Sequence, residues 1–561
     1  MDVFVINMIP KSLSGETNQD SEPSVAVNPA NRLQIAATAF TPDPLSGPLA
    51  PIYASSDGGH TWELNLIVPG AGTNPVVGSY FPTNDITLRF GWTSNILYAG
   101  ILRADTFEQL NILRTTNYLS ATPMTILESR PSDDQPYVQA ATVPSGSGAG
   151  KDRFYVGSND HGPANIPSTV DLALDAAVPS PTISKFVLEH RTVARDGFQT
   201  RPAIHPNGTI YAAFYALISG PTSSDVVIVR DDNWATGGTP FTALIDPGDS
   251  KPGLRIVTGV NNPFLGLNLG QQRIGGDLSV AVDPRDGAKV YICWGDLQAS
   301  TYTLHVRKST DSGATWSPSD LRTISNATNP ALAINSEGKL AFLYQQVAGP
   351  SPAQRWETTL EITASDFASF ATHLLASTPA ATPVRTFQPY LGDYLYMMAA
   401  GKTFYGIFCA NNTPNKANFP NGVVYQRNAN FATHTLLAVD DVTPVPVSID
   451  PFFFKVTVKP GAVATAIANS GAFGDVCLSS FIDEMLTINN RGSGMLKIFK
   501  ITSTSVDFEV PSVLSYPLKV RVGDSIDLMI RFKPTGHGFR AGKIEVFSND
   551  PASPHVVDVS G

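Results

Sequence analysis

This 561-residue chain has little charge, little cysteine and no long apolar run. Charged residues make up 15% of it, against roughly a quarter in an ordinary globular protein. The formal net charge is −10, which argues against nucleic acid or an anionic membrane surface as the main partner. The three cysteines, Cys293, Cys409 and Cys477, stand in apolar runs with no C-x-x-C spacing. An odd and sparse set is no disulfide framework, and buried free thiols are the expected state. No uninterrupted apolar stretch is long enough to span a bilayer, and the opening MDVFVINMIPKSL lacks the basic-then-apolar order of a signal peptide. There is no G-x-x-x-x-G-K-[ST] loop, no H-E-x-x-H and no G-x-S-x-G elbow, which removes the common nucleotide, zinc-protease and serine-hydrolase chemistries.

Hydrophobic residues at 42%, with 45 glycines and 44 prolines, describe many short strands joined by turns. Two peptides are nearly the same. Ser55-Ser56-Asp57-Gly58-Gly59-His60-Thr61-Trp62 and Ser309-Thr310-Asp311-Ser312-Gly313-Ala314-Thr315-Trp316 share S-x-D-x-G-x-T-W. The Asp is placed to accept from backbone amides ahead of it, the Gly to supply positive φ, and the Trp to fold back over the turn. The pattern resembles the Asp-box (BNR repeat) of sialidases and related β-propellers. That resemblance implies a turn between the third and fourth strands of a blade, on the face away from the active site.

With this pattern as a ruler, seven strand openings appear, at Glu22, Asp85, Asp134, Arg201, Asp277, Asn329 and Asp393. Each is followed by an apolar second strand, RLQIAATAF, NILYAGIL, RFYVGSND, TIYAAFYAL, KVYICWGD, KLAFLYQQ and TFYGIFCAN. Seven repeats of roughly 60 residues suit four-stranded blades. The expected fold is all-β: a propeller over residues 1–440, seven-bladed with six as the alternative count, then a second domain over 441–561. The stretch Pro163–Pro181 reads as a long inserted loop. In the second domain Asn489-Asn490-Arg491-Gly492, Phe532-Lys533-Pro534, Gly538 and Ser548-Asn549-Asp550-Pro551 resemble the ASH or choice-of-anchor-D family. The resemblance implies an immunoglobulin-like β-sandwich that serves as a spacer or binds protein partners. Phe452-Phe453-Phe454 reads as core or as a contact patch.

Loops before first strands and after second strands share one face of a propeller, so the openings carry the candidate chemistry. Glu22, Asp85, Asp134, Asp277 and Asp393 bring carboxylates to it, joined by Asp43 from a loop after a second strand. Arg130, Arg201, Arg273 and Arg385 read as lying in the loops leading into first strands. Three readings follow: a ligand site, a Ca²⁺ held by oxygen ligands at the channel mouth, or carboxylates that each brace their own loop. The sialidase resemblance implies arginines on a substrate carboxylate, an Asp acid/base and a Tyr nucleophile, with Tyr394 one candidate for the last. Carboxylates among Asp43, Asp134, Asp277 and Asp393 would do acid/base work, and Arg201 and Arg273 would hold an anionic group, with Arg130, Arg385, Glu22 and Asp85 also lining the site. Two features depart from that family. Its F/Y-R-I-P motif is replaced by Ile6-Asn7-Met8-Ile9-Pro10, which has no Arg, and its catalytic members have six blades. The functional expectation is therefore glycan recognition on the first-strand face, with or without exo-glycosidase activity. The alternative is a non-catalytic platform in a larger assembly or at a surface. The resembled families point to an extracellular or surface setting.

Overall fold

The computed structural model describes residues 2–40, 49–69, 84–104, 108–163, 166–188, 191, 197–219, 222–264, 266–457, 463–492, 495–510, 514–521 and 524–561. Among these the protein is all-β, with three short 3₁₀ turns at Lys11–Leu13, Lys416–Asn418 and Ala468–Gly471. It divides into two compact units, Val3–Lys455 and Val456–Gly561, the latter grouped with Met1–Asp2.

The first unit is a succession of sheets, six of them antiparallel meanders of four consecutive strands. Their first strands are Ser21–Val27, Ile86–Phe90, Asp133–Thr142, Gly197–Ile204, Leu278–Asp283 and Ala327–Ile334. A seventh sheet begins with Tyr396–Ala400 and Thr403–Asn411, and adds Ile449–Thr457, Asp2–Asn7 and Val424–Tyr425. Each first strand neighbours that of the next sheet, and the seventh neighbours the first, so the first strands form a closed ring. All seven second-strand runs read from the sequence are strands, because their β-branched and aromatic residues are buried on both faces between sheets.

Small hydroxyl residues stitch the ring. Ser24 Oγ accepts from Leu88 N at 3.2 Å, Thr87 Oγ1 from Val138 N at 2.9 Å, and Ser279 Oγ from Leu332 N at 2.9 Å. Each satisfies an amide that a neighbouring sheet could not reach with backbone alone. The chain closes through Asp2–Asn7, whose Ile6 and Asn7 pair in parallel with Val424 and Tyr425. Behind that seam Arg427 Nη1 donates to Asp450 Oδ2 at 2.9 Å, and Asn7 Nδ2 donates to the same oxygen at 2.8 Å. Phe452, Phe453 and Phe454 are fully buried, which makes the triple-Phe run core. Phe453 packs on Trp62 with ring centroids 5.2 Å apart.

Two expectations need correction. Pro163–Pro181 contains Ser168–Ala173, the third strand of the third sheet, because Thr169–Ala173 pairs along its length with both neighbours. The long connections lie elsewhere, before the fifth sheet around the hairpin of Asn268–Leu269 and Gln272–Arg273, and between the sixth and seventh sheets over 380–395. Cys293 and Cys409 are buried free thiols, whereas Cys477 is exposed, since its run DVCLSS forms a turn rather than a strand.

The second unit holds two four-stranded sheets around one core that includes Leu486, Ile498, Ile530, Phe532 and Ile544. A cavity of about 490 Å³ there is lined by Cys477, Phe532, His537 and Phe539, and contains none of the expected site residues.

Candidate functional site

Four first strands begin with the same distortion. The register slips between Ser21 and Ser24, Asp134 and Tyr137, Gly197 and Arg201, and Thr328 and Ala331. Within these bulges Glu22, Gln135, Gln199 and Asn329 hold left-handed φ of 50°, 52°, 97° and 55°. In three of the four a proline follows directly, which removes a ladder donor and favours a bulge. Non-glycine residues in this region are strained, and such strain gathers at functional sites.

Around these bulges the structure gathers Glu22, Asp85, Arg201, Arg273, Asp393 and Tyr394. Arg273 Nε donates to Asp393 Oδ1 at 2.9 Å, and its Nη2 reaches Asp393 Oδ2. Glu22 is hydrogen-bonded to the Asp85 carboxyl. Burial first, then the Asp85 charge, push the Glu22 carboxyl well above the usual range. Burial also raises Asp393, against the pull of Arg273. Burial works to lower the Arg273 pKa, but the Asp393 charge more than offsets it. Burial, then Asp85 and Glu22, raise the Tyr394 phenol.

Arg201 is 2% exposed. Its Cζ lies 4.4 Å from the Tyr137 ring centroid and 5.5 Å from that of Tyr394. Its Nη2 has no hydrogen-bond partner, nor do the buried Glu22 Oε2, Gln135 Oε1 and Tyr394 OH. Burial lowers the Arg201 pKa. Polar atoms left in this state are costly.

The other expected residues are placed differently. Asp277 is fully buried. Its Oδ1 accepts from Asn329 N at 2.7 Å and its Oδ2 from Thr328 Oγ1 at 3.0 Å, so it braces the sixth sheet's bulge. Burial raises it to about 7. Asp134 lies inside the third sheet's first strand and accepts from Gln135 N at 2.6 Å; the bulge gives the ring position to Gln135. Arg130 stands not in a loop but in the fourth strand Thr125–Pro131, bound to Asp171 at 2.8 Å and Glu128 at 3.5 Å. Arg385 Nη1 donates to Gln271 O at 3.0 Å, in the connection before the seventh sheet. Asp43 lies outside the described residues. Among those described, no cluster of three or more His, Cys, Asp or Glu is placed to hold a metal ion.

Sequence reasoning missed the glutamines. Gln199 Nε2 donates to Asp393 O at 2.7 Å while its Oε1 accepts from Leu278 N at 3.2 Å, tying the fourth and fifth sheets to the connection before the seventh. Gln272 Nε2 donates to Gly392 O at 2.9 Å and its Oε1 accepts from Leu391 N at 2.6 Å. Gln271 Nε2 reaches Pro383 O at 2.8 Å. These bonds dock the Asn268–Arg273 hairpin on the 380–393 connection and so deliver Arg273 to Asp393. The adjacent Gln271-Gln272-Arg273 was the only sequence signal for this.

No protein-family model matches the chain, and no curated protein matches it. Among solved structures it is similar to a protein of unknown function from Dyadobacter fermentans, at 11% identity over 82% of this chain and 98% of that one, with a TM-score of 0.39. It is also similar to a family-25 polysaccharide lyase, an ulvan lyase, at 8% identity over 70% and 92%, with a TM-score of 0.42. A third is the α-L-arabinanase of Penicillium chrysogenum, at 11% identity over 80% and 97%, with a TM-score of 0.36. Two of these three are carbohydrate-active enzymes. At such TM-scores the likenesses bear no argument about the chemistry of this site.

Proposed function

We propose that the seven sheets are the blades of a seven-bladed β-propeller followed by an immunoglobulin-like sandwich, and that the propeller binds an anionic glycan at the first-strand end of its ring. One observation carries the reading: Arg201, buried and with Nη2 unpartnered, stands among the unpartnered Glu22 Oε2, Gln135 Oε1 and Tyr394 OH. A guanidinium presents a rigid fork of donors that matches a carboxylate. Glu22, Gln135 and Tyr394 supply hydroxyl-directed partners and an aromatic face for a sugar ring. Should the bound glycan be cleaved, the Glu22 carboxyl, raised by burial and by the Asp85 charge, is the available acid.

The platform reading keeps its own support. Asp277 and Arg130 are engaged within the framework, and Glu22, Asp85, Arg201 and Asp393 are each exposed by less than a tenth.

The test is a saccharide array of acidic and neutral glycans, read for binding and for loss of terminal sugars, with the native protein and Arg201→Gln. Acidic glycans should be retained by the native protein and lost, by about tenfold or more, in the variant. Release of sugar would add catalysis. No preference for acidic glycans, or a preference unchanged in Arg201→Gln, would move the weight to the platform.

A further inference from the structure

Arg201 has an unusual support. Its guanidinium rests on the Tyr137 ring, with Cζ 4.4 Å from the centroid. Tyr137 is stacked on Tyr396, centroids 4.9 Å apart and planes inclined by 24°. Arg89 Cζ lies 4.6 Å from the Tyr396 centroid. Arg201, Tyr137, Tyr396 and Arg89 thus form a cation–aromatic–aromatic–cation column that draws on the fourth, third, seventh and second sheets. The last two layers are fixed from outside the column. Tyr396 OH donates to Val138 O at 3.0 Å, and Arg89 Nε donates to Gln139 Oε1 at 3.0 Å. Tyr137 is held by its bulged strand and by the stack.

We propose that Tyr137, backed by Tyr396, is the positioning residue for anion recognition at Arg201. The inference rests on the acidic-glycan reading above. The ring face attracts the guanidinium through its quadrupole and asks for none of its N–H groups. A carboxylate in that place would orient the arginine too, but it would use the donors and cancel the charge, as Asp393 does for Arg273. Aromatic support fixes the plane of Arg201 and leaves its edge for a ligand, so the reorganisation cost of binding falls. The column also explains how the ring tolerates a buried arginine whose Nη2 has no partner.

The experiment compares native protein, Tyr137→Leu, Tyr137→Phe and Arg201→Gln for affinity toward an acidic saccharide and its neutral methyl ester. Melting temperatures are followed in parallel. Tyr137→Phe keeps the face and should keep the acid-over-ester preference. Tyr137→Leu removes the face and should lose that preference by about tenfold. Tyr137→Met, which fills similar volume without a π face, replaces Tyr137→Leu if that variant fails to fold. Selective ¹⁵N labelling of arginine adds a ligand-free readout: the Arg201 Nε–H proton should be shifted upfield by the ring in the native protein and in Tyr137→Phe, and return in Tyr137→Leu or Tyr137→Met. A preference that Arg201→Gln abolishes but Tyr137→Leu or Tyr137→Met leaves intact overturns the positioning role alone. Loss of preference in Tyr137→Phe as large as in Tyr137→Leu also overturns it, because the hydroxyl and not the face would then be at work. No acid preference in the native protein overturns both this and the glycan reading.

Discussion

Arg273 and Asp393 meet at 2.9 Å although 120 residues of chain separate them. Asp393 is brought by the end of the connection before the seventh sheet, and Arg273 by a hairpin inserted before the fifth. Removing one member of such a pair strands the other, and the carboxylate side chain is fully buried whereas that of Arg273 is 21% exposed. Arg273→Met should therefore destabilise the protein by about 3 kcal/mol near neutral pH. Burial already raises Asp393, and losing Arg273 raises it further. A carboxyl whose folded pKa lies above its unfolded value stabilises at low pH and loses that contribution as pH rises through the folded value. The penalty of Arg273→Met should thus shrink on acidification. Thermal melts of both proteins across pH check it, and a pH-independent penalty would contradict it.

Asp277 illustrates a different use of a ring carboxylate. Its oxygens accept from Asn329 N–H and the Thr328 hydroxyl, and so hold the left-handed bulge that opens the sixth sheet. Asp277→Ala leaves the Asn329 N–H without an acceptor and Thr328 Oγ1 with only the 3.4 Å bond to Asn329 Oδ1, and should cost about 2–3 kcal/mol in urea unfolding. Asp277→Asn retains one carbonyl oxygen and should cost about half as much. Equal losses in the two variants would show that the bonds to Asn329 and Thr328 are not what matters.

The strands were legible because each run alternates or is wholly apolar and ends at Gly, Asn or Pro. Glu22, Asp85, Asp277, Asn329 and Asp393 do stand at or near strand starts, since a proline or an apolar run follows each one closely, whereas Arg201, read as a loop residue, lies within the strand Gly197–Ile204. What failed was register. A bulge adds one residue to one strand, so the ring position of the third sheet passed from Asp134 to Gln135. Only one residue separates the second sheet's fourth strand from the third sheet's first, so Arg130, read as a loop residue, sits in a strand with Asp171. The aromatic column was invisible for another reason. Tyr137, Tyr396, Arg89 and Arg201 come from four sheets, and sequence spacing holds no information about a stack across a ring.

The two related turns make a matched pair for mutation. Asp57 Oδ1 accepts from His60 N at 2.9 Å and Thr61 N at 3.0 Å, and Asp311 Oδ1 accepts from Thr315 N at 2.9 Å. Trp62 Nε1 donates to Gly59 O at 3.2 Å, and Trp316 Nε1 to Gly313 O at 3.1 Å. The local bonding is the same, yet Trp62 is 2% exposed and packed on Phe453 while Trp316 is only half-buried. Trp62→Ala should therefore cost about 3–4 kcal/mol and Trp316→Ala about 1–2 kcal/mol, because the cavity term applies mainly to the first. Equal costs in denaturant unfolding would show that the turn bonds, rather than the packing, set the value of the tryptophan.

The seam that closes the ring carries a pH response of its own. Glu16 lies beside Asp450 and Arg427, 3.9 Å from Arg427 Nη1, and its Oε2 accepts no hydrogen bond. Burial, then the Asp450 charge, raise its carboxyl from 4.5 to about 8, against the opposing pull of Arg427. Arg427 is committed to Asp450 and to the carbonyls of Ser14 and Glu16, so it cannot fully compensate a second anion. Between pH 4.5 and about 8 the folded chain keeps a proton on Glu16 that the unfolded chain has released. Stability from this group is then complete below pH 4.5 and is lost as pH rises toward 8. Glu16→Gln is neutral at every pH and mimics the protonated form. It should match the native protein near pH 5 and exceed it at pH 9, by an amount on the order of 2 kcal/mol. Urea unfolding at the two pH values decides the matter. A native advantage at pH 9 would mean that Glu16 is ionised in the fold and held by Arg427, and the seam would then be a three-charge network rather than an ion pair beside a neutral acid.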